Sequence, residues 1–354
     1  MKTHFYINSE DAWTAMLHAI KEAHTSIYWE IYIFQNDTLK THDFVGAMEE
    51  AARRGVEVKL VADSFGSYNF DKKSISRLRE AGAEIIFYNH PLWRTHRKLL
   101  IIDERIAFFG GVNIGDTYRK WTDLHVRTTA KRVIRGLLTT FARFYSHCGG
   151  TDESVLAFSK HARKRAHQYM GTRDVQDLIF EHLPNMGKRR LAHIYREQLT
   201  NAKKHITIVS PSFIPAPWLK KLLLLRVQEG VRVEIILPQS TSPKYLNPVH
   251  YLAARDLSKE GISFYFTKQM MHAKVLLIDG KIGLVGSQNL DPISFGLTME
   301  TGVFFHDKAS LTKLRHIIYE WRTSATKYDP TLNSSRWYDP LVRIILRILS
   351  PLFY

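Results

Sequence analysis

Apolar residues recur along this chain in two rhythms that alternate. Ala12, Met16, Ile20 and Ala23 return at helical spacing after the polar start Ser9-Glu-Asp11 and predict an amphipathic helix. Ser26-Ile-Tyr-Trp-Glu-Ile-Tyr-Ile-Phe34, rich in β-branched and aromatic residues, predicts a buried strand. A helix over about 41–54 stops at Gly55, and the strand Val56–Ala62 runs into the polar loop Asp63-Ser-Phe-Gly-Ser67. A helix at about Lys72–Glu80 and strands at Glu84–Tyr88, Lys98–Ile102 and Ile106–Phe109 follow. The same order then returns, with a helix at Leu191–Ala202, a strand at Ile206–Val209, a helix at Pro217–Glu229 ending at Gly230, and a strand at Val231–Leu237. Arg53-Arg-Gly-Val-Glu-Val58 and Gln228-Glu-Gly-Val-Arg-Val233 carry the likeness at residue level. Strands alternating with helices predict an α/β sandwich around a largely central sheet.

The duplication is sharpest in a polar motif. Thr95-His-Arg-Lys-Leu-Leu-Ile-Ile-Asp103, followed by Phe109-Gly-Gly-Val-Asn113, returns as Met271-His-Ala-Lys-Val-Leu-Leu-Ile-Asp279, followed by Val285-Gly-Ser-Gln-Asn289. His96, Lys98, Asp103, Gly110 and Asn113 match His272, Lys274, Asp279, Gly286 and Asn289 at a constant offset of 176 residues. We read two copies of one domain, each supplying half of one active site. A histidine and a lysine two apart on a strand point to the same side. Two such pairs facing each other would make a pocket with two imidazoles and two ammonium groups, which suits a phosphodiester.

In such a pocket one imidazole attacks phosphorus while the other protonates the departing alkoxide and later takes a proton from the incoming hydroxyl. Lys98, Lys274 and the amides of Asn113 and Asn289 would hold the non-bridging oxygens. The small residues Gly110, Gly111, Gly286 and Ser287 would leave room for the phosphate against the backbone. Asp103 and Asp279 end strands at turns, where Asp is common for local hydrogen bonding, so an orienting role stands beside a chemical one. Asp123 and Glu300 follow the two asparagines at similar distances, and either could hydrogen-bond a histidine and fix its tautomer. Glu30, inside an otherwise apolar strand, is costly to bury without a partner and is a further pocket candidate. Nothing spaces His, Asp and Glu as a metal cage, and no cofactor is expected.

Composition narrows the partners. A chain of 354 residues with 50 Lys+Arg against 34 Asp+Glu carries a formal charge of +16, which calls for an anionic partner. Nucleic acid, an acidic membrane surface and a phosphate-bearing substrate all qualify. The single cysteine, Cys148, excludes an intramolecular disulfide and reads as a half-buried structural thiol. No stretch reaches the roughly 18–20 apolar residues of a spanning helix, and the N-terminus turns acidic before a signal-length run could form. The body is expected to be soluble and to face the cytosol.

The pattern His-x-Lys-x4-Asp-x6-Gly-x2-Asn, present twice, resembles that of the phospholipase D superfamily. Trp29-Glu-Ile-Tyr-Ile-Phe34, Asp63-Ser-Phe-Gly-Ser67, His96-Arg-Lys98 and Gly286-Ser-Gln-Asn-Leu-Asp-Pro292 are similar to those of the shorter bacterial cardiolipin synthases. The resemblance covers about residues 5–330. It implies two tandem sandwich domains related by pseudo-twofold symmetry, no metal, and phosphatidyl transfer through a phospho-histidine. It further implies His96 as nucleophile, His272 as acid and base, and Glu300 as the acid supporting a histidine. Many members have Arg-Ser after the second asparagine and an Asn two before the glutamate, where this chain has Ile293-Ser294 and Thr298.

The expected domains are residues 1–150 and 172–330, joined by a basic segment at 151–171 that includes Lys160-His-Ala-Arg-Lys-Arg165, with a tail at 331–354. In the tail, Asp339-Pro340 reads as a helix start, and Leu341, Ile344, Ile345, Ile348 and Leu349 cover the face left by Arg343 and Arg347. Ten helical residues span about 15 Å, too short to cross a bilayer, so with Trp337, Leu352, Phe353 and Tyr354 the tail reads as an interfacial anchor. A helix docked on the body is the other reading. The expected reaction moves a phosphatidyl group from one phospholipid, phosphatidylglycerol by preference, to the headgroup hydroxyl of another at the cytoplasmic face of a bacterial membrane. A phospholipase D hydrolase, another phosphatidyltransferase and a metal-independent nuclease are alternatives. The tail argues against nucleic acid as partner.

Overall fold

The computed structural model describes residues 2–168, 179–184, 190–331 and 336–344. They pack as two compact units. Met1–Glu181 and Glu300–Val303 form the first, and His182–Met299 and Phe304–Tyr354 form the second.

The first unit contains β1 (Thr3–Asn8), α1 (Ser9–Lys21), β2 (Ser26–Ile31), α2 (Phe44–Arg53), β3 (Glu57–Asp63), α3 (Lys72–Glu80), β4 (Glu84–Tyr88) and β5 (Arg94–Thr95). These are followed by β6 (Lys98–Ile102), β7 (Ile106–Gly110), β8 (Thr122–Thr128), α4 (Lys131–His147) and α5 (Glu153–Gln168). Seven strands make one sheet in the order β1-β8-β7-β6-β2-β3-β4. β2, β3 and β4 run parallel, and the other joints are antiparallel.

Both faces of this sheet are covered, which is why its central strands read as unbroken apolar runs. On one side Trp29 packs edge-on against Phe44 of α2, in a cluster with Trp13, Met16, Met48, Leu100 and Phe108. On the other, its neighbour Tyr28 stacks on Phe141 of α4 with ring centres 5.4 Å apart. The helices start where an acceptor is supplied. Asn8, Asp43 and Asp71 each take a backbone N–H three residues on, at 2.7–2.9 Å. The helix expected from about residue 41 therefore begins at Phe44. The strand expected to reach Phe34 leaves the ladder after Ile31, where Tyr32 turns toward His96. The basic stretch expected to connect the domains is helical to Gln168, as part of α5, which packs on α4.

After β9 (Ile179–His182), the second unit runs α6 (Arg190–Thr200), β10 (His205–Val209), α7 (Pro217–Gln228), β11 (Arg232–Pro238), α8 (Asn247–Ser258), β12 (Ser263–Thr267), β13 (Val275–Ile278) and β14 (Ile282–Gly286). It continues with α9 (Pro292–Gly296), β15 (Thr298–Phe305), α10 (Lys308–Ser324) and β16 (Thr326–Lys327). β10, β11 and β12 are parallel while β10, β13 and β14 are antiparallel, repeating the order and directions of β2, β3, β4, β6 and β7. Within β15, Glu300–Val303 group with the first unit.

The tail is helical from Asp339 to Ile344 and is docked on the second unit. Asp339 forms a buried ion pair with Arg255 of α8 at 2.6 Å, and Arg343 pairs with Asp256 at 2.7 Å. Ile345, Arg347, Ile348, Leu349, Leu352, Phe353 and Tyr354 lie outside the described residues. Among the described residues, no helix is long and apolar enough to cross a membrane.

Candidate active site

The two motif copies are built alike. In the first unit Lys98 opens β6 opposite Ile31 of β2, and only 2% of it is exposed. Its ammonium donates to the carbonyl of His96 and lies 5.2 Å from the centre of the Tyr32 ring. The same ring meets the His96 imidazole edge-on at 5.1 Å. Glu300, wholly buried, places its carboxylate 3.1 Å from His96 Nδ1. With Glu300 ionised, its carboxylate can only accept, which puts the proton on Nδ1 and leaves the Nε2 lone pair free of this contact.

Asp103 is positioned for structure. Its backbone sits at φ 51°, in the left-handed region that Asp tolerates better than most residues. Its carboxylate accepts from the N–H groups of His24, Thr25 and Ser26 and from the Thr25 hydroxyl. Burial works against its charge, but these donors outweigh burial and hold the carboxyl below its usual range. Asp279 repeats the backbone part of this, with φ at 53°, N–H donors from Lys203, Lys204 and His205, and a lowered carboxyl. Both aspartates thus pin the strand end that follows the motif lysine to the start of its central neighbour.

In the second unit Lys274 is buried and donates to the carbonyl of His272, as Lys98 does to that of His96. The segment after Gly286 is held from below. The Asn289 N–H donates to Ser294 Oγ at 3.0 Å, and Gln288 Nε2 donates to the Tyr195 hydroxyl at 3.1 Å. Ser287 is buried. Asn113 and Asn289 each keep a side-chain oxygen without a hydrogen-bond partner among the described residues, although Trp13 donates to the Asn113 carbonyl. Of the departures from the family pattern, Ile293 is exposed and Thr298 is buried.

Gly110 and Gly111 have a local reason. A Cβ at Gly110 would lie 2.3 Å from the Leu124 carbonyl oxygen, and one at Gly111 would lie 2.1 Å from Asp123 Oδ1. Their missing side chains let β8 close against the motif. Asp123 is buried there beside His125, whose imidazole pKa burial pulls down to about 4 despite the neighbouring carboxylate.

Glu30 is wholly buried within the first unit. It accepts from the Thr95 hydroxyl at 2.6 Å and lies 3.6 Å from Arg97 Nη1. Burial raises its carboxyl, with Arg97 and Thr95 opposing. Arg97, between the motif histidine and lysine, also reaches Glu181 at 3.2 Å, and Arg143 reaches the other oxygen of Glu181 at 3.0 Å. The residue before Glu181, Phe180, accepts from the Thr301 hydroxyl at 2.9 Å, next to the glutamate that holds His96. Asp63 accepts from the Thr95 N–H at 2.9 Å and fixes the approach to the histidine. The sequence pattern did not single out Arg97, Glu181, Asp63, Tyr32 or His125 as site residues. Their one sign in the sequence was at His125, a titratable side chain between the apolar Leu124 and Val126.

The fold and the duplicated motif define a class. The family described as "Cardiolipin synthase, PLD-like domain" matches residues 16–145 and again 195–321, and the chain belongs to this phospholipase D-like family. Among curated relatives, the cardiolipin synthase of Clostridium perfringens (strain SM101 / Type A) is 29% identical, over 98% of this chain and 76% of the relative. That of Geobacillus sp. (strain WCH70) is 28% identical, over 99% of this chain and 72% of the relative. Among solved structures, the phosphatidylserine synthase of Haemophilus influenzae Rd KW20 superposes with a TM-score of 0.77 over 99% of this chain and 94% of that one. At 14% identity it bears on the fold alone.

Proposed function

We propose that this chain is a phosphatidyltransferase that joins two phospholipids into cardiolipin, using both motif copies as one site. His96 Nε2 attacks the phosphorus of a phosphatidylglycerol, a P–N bond forms, and the P–O bond to the glycerol headgroup breaks. His272 gives its proton to the departing alkoxide, so glycerol leaves. The headgroup hydroxyl of a second phosphatidylglycerol then attacks the same phosphorus. His272 takes back a proton, the P–N bond breaks, and cardiolipin is released with both histidines restored. Lys98, Lys274, Asn113 and Asn289 stabilise the charge on the non-bridging oxygens. Asp103 and Asp279 serve by holding the strands that carry the lysines.

The observation that carries this reading is the His96 Nδ1–Glu300 hydrogen bond at 3.1 Å, which leaves Nε2 as the nucleophile beside a buried ammonium. Relatives named cardiolipin synthase along nearly the whole chain support the substrate, and the basic surface supports work at an anionic membrane. Incubating the purified protein with phosphatidylglycerol vesicles should give cardiolipin and glycerol in equal amounts. Phosphatidic acid as the only lipid product would replace this reading with a hydrolase that delivers the same intermediate to water.

A further inference from the structure

The second unit carries a cavity of about 340 Å³ that none of the motif residues lines. Its walls are Asn247, Pro248 and Tyr251 from the first turns of α8, together with Arg255, Arg336 and Tyr338. Two arginines and no carboxylate line it. Asp339 neutralises Arg255 from a buried position at 2.6 Å, while Arg336 is exposed at the mouth. Lys244 and Tyr245, which lead into α8, are exposed as well.

The tail helix follows directly on Arg336 and Tyr338 of this cavity and is two-sided. Asp339 and Arg343, four apart and so on one face, tie it to Arg255 and Asp256 of α8. Leu341 and Ile344 point away from that face and Trp337 lies in the turn just before the helix; they are 54%, 56% and 87% exposed. An aromatic and two aliphatic side chains held outward by a fixed polar face, beside a cationic cavity, match the layered chemistry of a membrane surface. Apolar groups sit at the acyl boundary while arginine and tyrosine reach phosphate and ester oxygens.

We propose that the cavity binds the phosphate-bearing headgroup of an anionic phospholipid in the membrane, with Trp337, Leu341 and Ile344 inserted beside it. It is a docking site separate from the catalytic motifs. It rests on the reading that this enzyme works on phospholipids. The docked start of the tail makes the helix a rigid ledge, so insertion orients the second unit on the bilayer as well as tethering it.

The test is partition of the full chain onto vesicles, read by flotation, with no turnover required. The wild type should bind vesicles of phosphatidylglycerol and phosphatidylcholine well above vesicles of phosphatidylcholine alone. Arg336→Glu reverses one charge at the mouth and should weaken binding to the anionic vesicles by at least about tenfold. The double variant Trp337→Ser, Leu341→Ser should weaken binding to both kinds of vesicle. All three residues are exposed, so folding, read by thermal melting, should be unchanged. Turnover of a short-chain phosphatidylglycerol kept below its micelle concentration should also be unchanged, which separates loss of docking from loss of chemistry. Wild-type partition of Arg336→Glu onto anionic vesicles would overturn the headgroup site, and wild-type partition of the double variant would overturn the inserted face. A wild type that binds vesicles but forms no cardiolipin would refute the proposed reaction and leave the docking site standing.

Discussion

Replacing His125 with phenylalanine should remove a specific acid sensitivity from the first unit. The imidazole is 1% exposed, faces Phe108 with ring centres 6.5 Å apart, and has no hydrogen-bond partner on either nitrogen among the described residues. Burial lowers its pKa from 6.5 to about 4, with Asp123 opposing and Lys98 adding to the shift. Because the folded value is the lower one, the folded protein binds fewer protons than the unfolded chain in this window. Stability is therefore complete above pH 6.5 and falls as the pH drops toward 4. At about 1.36 kcal/mol per pH unit the loss reaches about 2 kcal/mol at pH 5 and about 3 kcal/mol at pH 4.

Phenylalanine keeps the ring and carries no proton. Urea unfolding followed by tryptophan fluorescence at pH 7 and pH 5 gives the comparison. At pH 7 the variant should equal or exceed the wild type, since two unpaired nitrogens leave the core. At pH 5 the wild type should have lost about 2 kcal/mol more than the variant. Asp103 and Asp279 titrate in both proteins and cancel in the difference. Stability curves that stay parallel from pH 7 to pH 5 would refute the argument.

Other consequences can be tested more briefly. Arg97→Met leaves Glu30 and Glu181 buried without their shared cation, and should cost about 3–5 kcal/mol in unfolding free energy; a change under about 1 kcal/mol would contradict the network. Asp103→Asn keeps an acceptor for the N–H groups of residues 24–26 and should keep most of the turnover, whereas Asp103→Ala should melt earlier by several degrees. Loss of turnover in Asp103→Asn at unchanged stability would instead place this aspartate in the chemistry. Cardiolipin formation should survive excess EDTA, and its abolition would require a metal in the reaction.

What could be read beforehand follows from burial. β2, β3, β6 and β7 lie inside a covered sheet and announce themselves as apolar runs such as Lys98-Leu-Leu-Ile-Ile102. β1 lies at the sheet edge with a mixed pattern, and β8 carries Asp123, His125 and Arg127, so neither has a clean apolar signature. The candidate site residues were legible because the chain writes them twice at one offset. Their supports were not, because Arg97 meets Glu181 across 84 positions and His96 meets Glu300 across 204. The packing of Glu300–Val303 with the first unit rather than the second also has no local sign in the sequence. In the tail, the apolar pattern was readable, but the docking of Asp339 on Arg255 depends on a partner far back in the chain.

In the proposed reaction His96 carries the phosphatidyl group between donor and acceptor. Rapid quenching of the His272→Ala variant with phosphatidylglycerol labelled in its acyl chains, followed by mass spectrometry of the digested protein, tests it directly. A phosphatidyl adduct on the peptide containing His96, absent from His96→Ala, is the predicted result. An adduct on His272 in the His96→Ala variant, with none on His96 in the reciprocal protein, would contradict it.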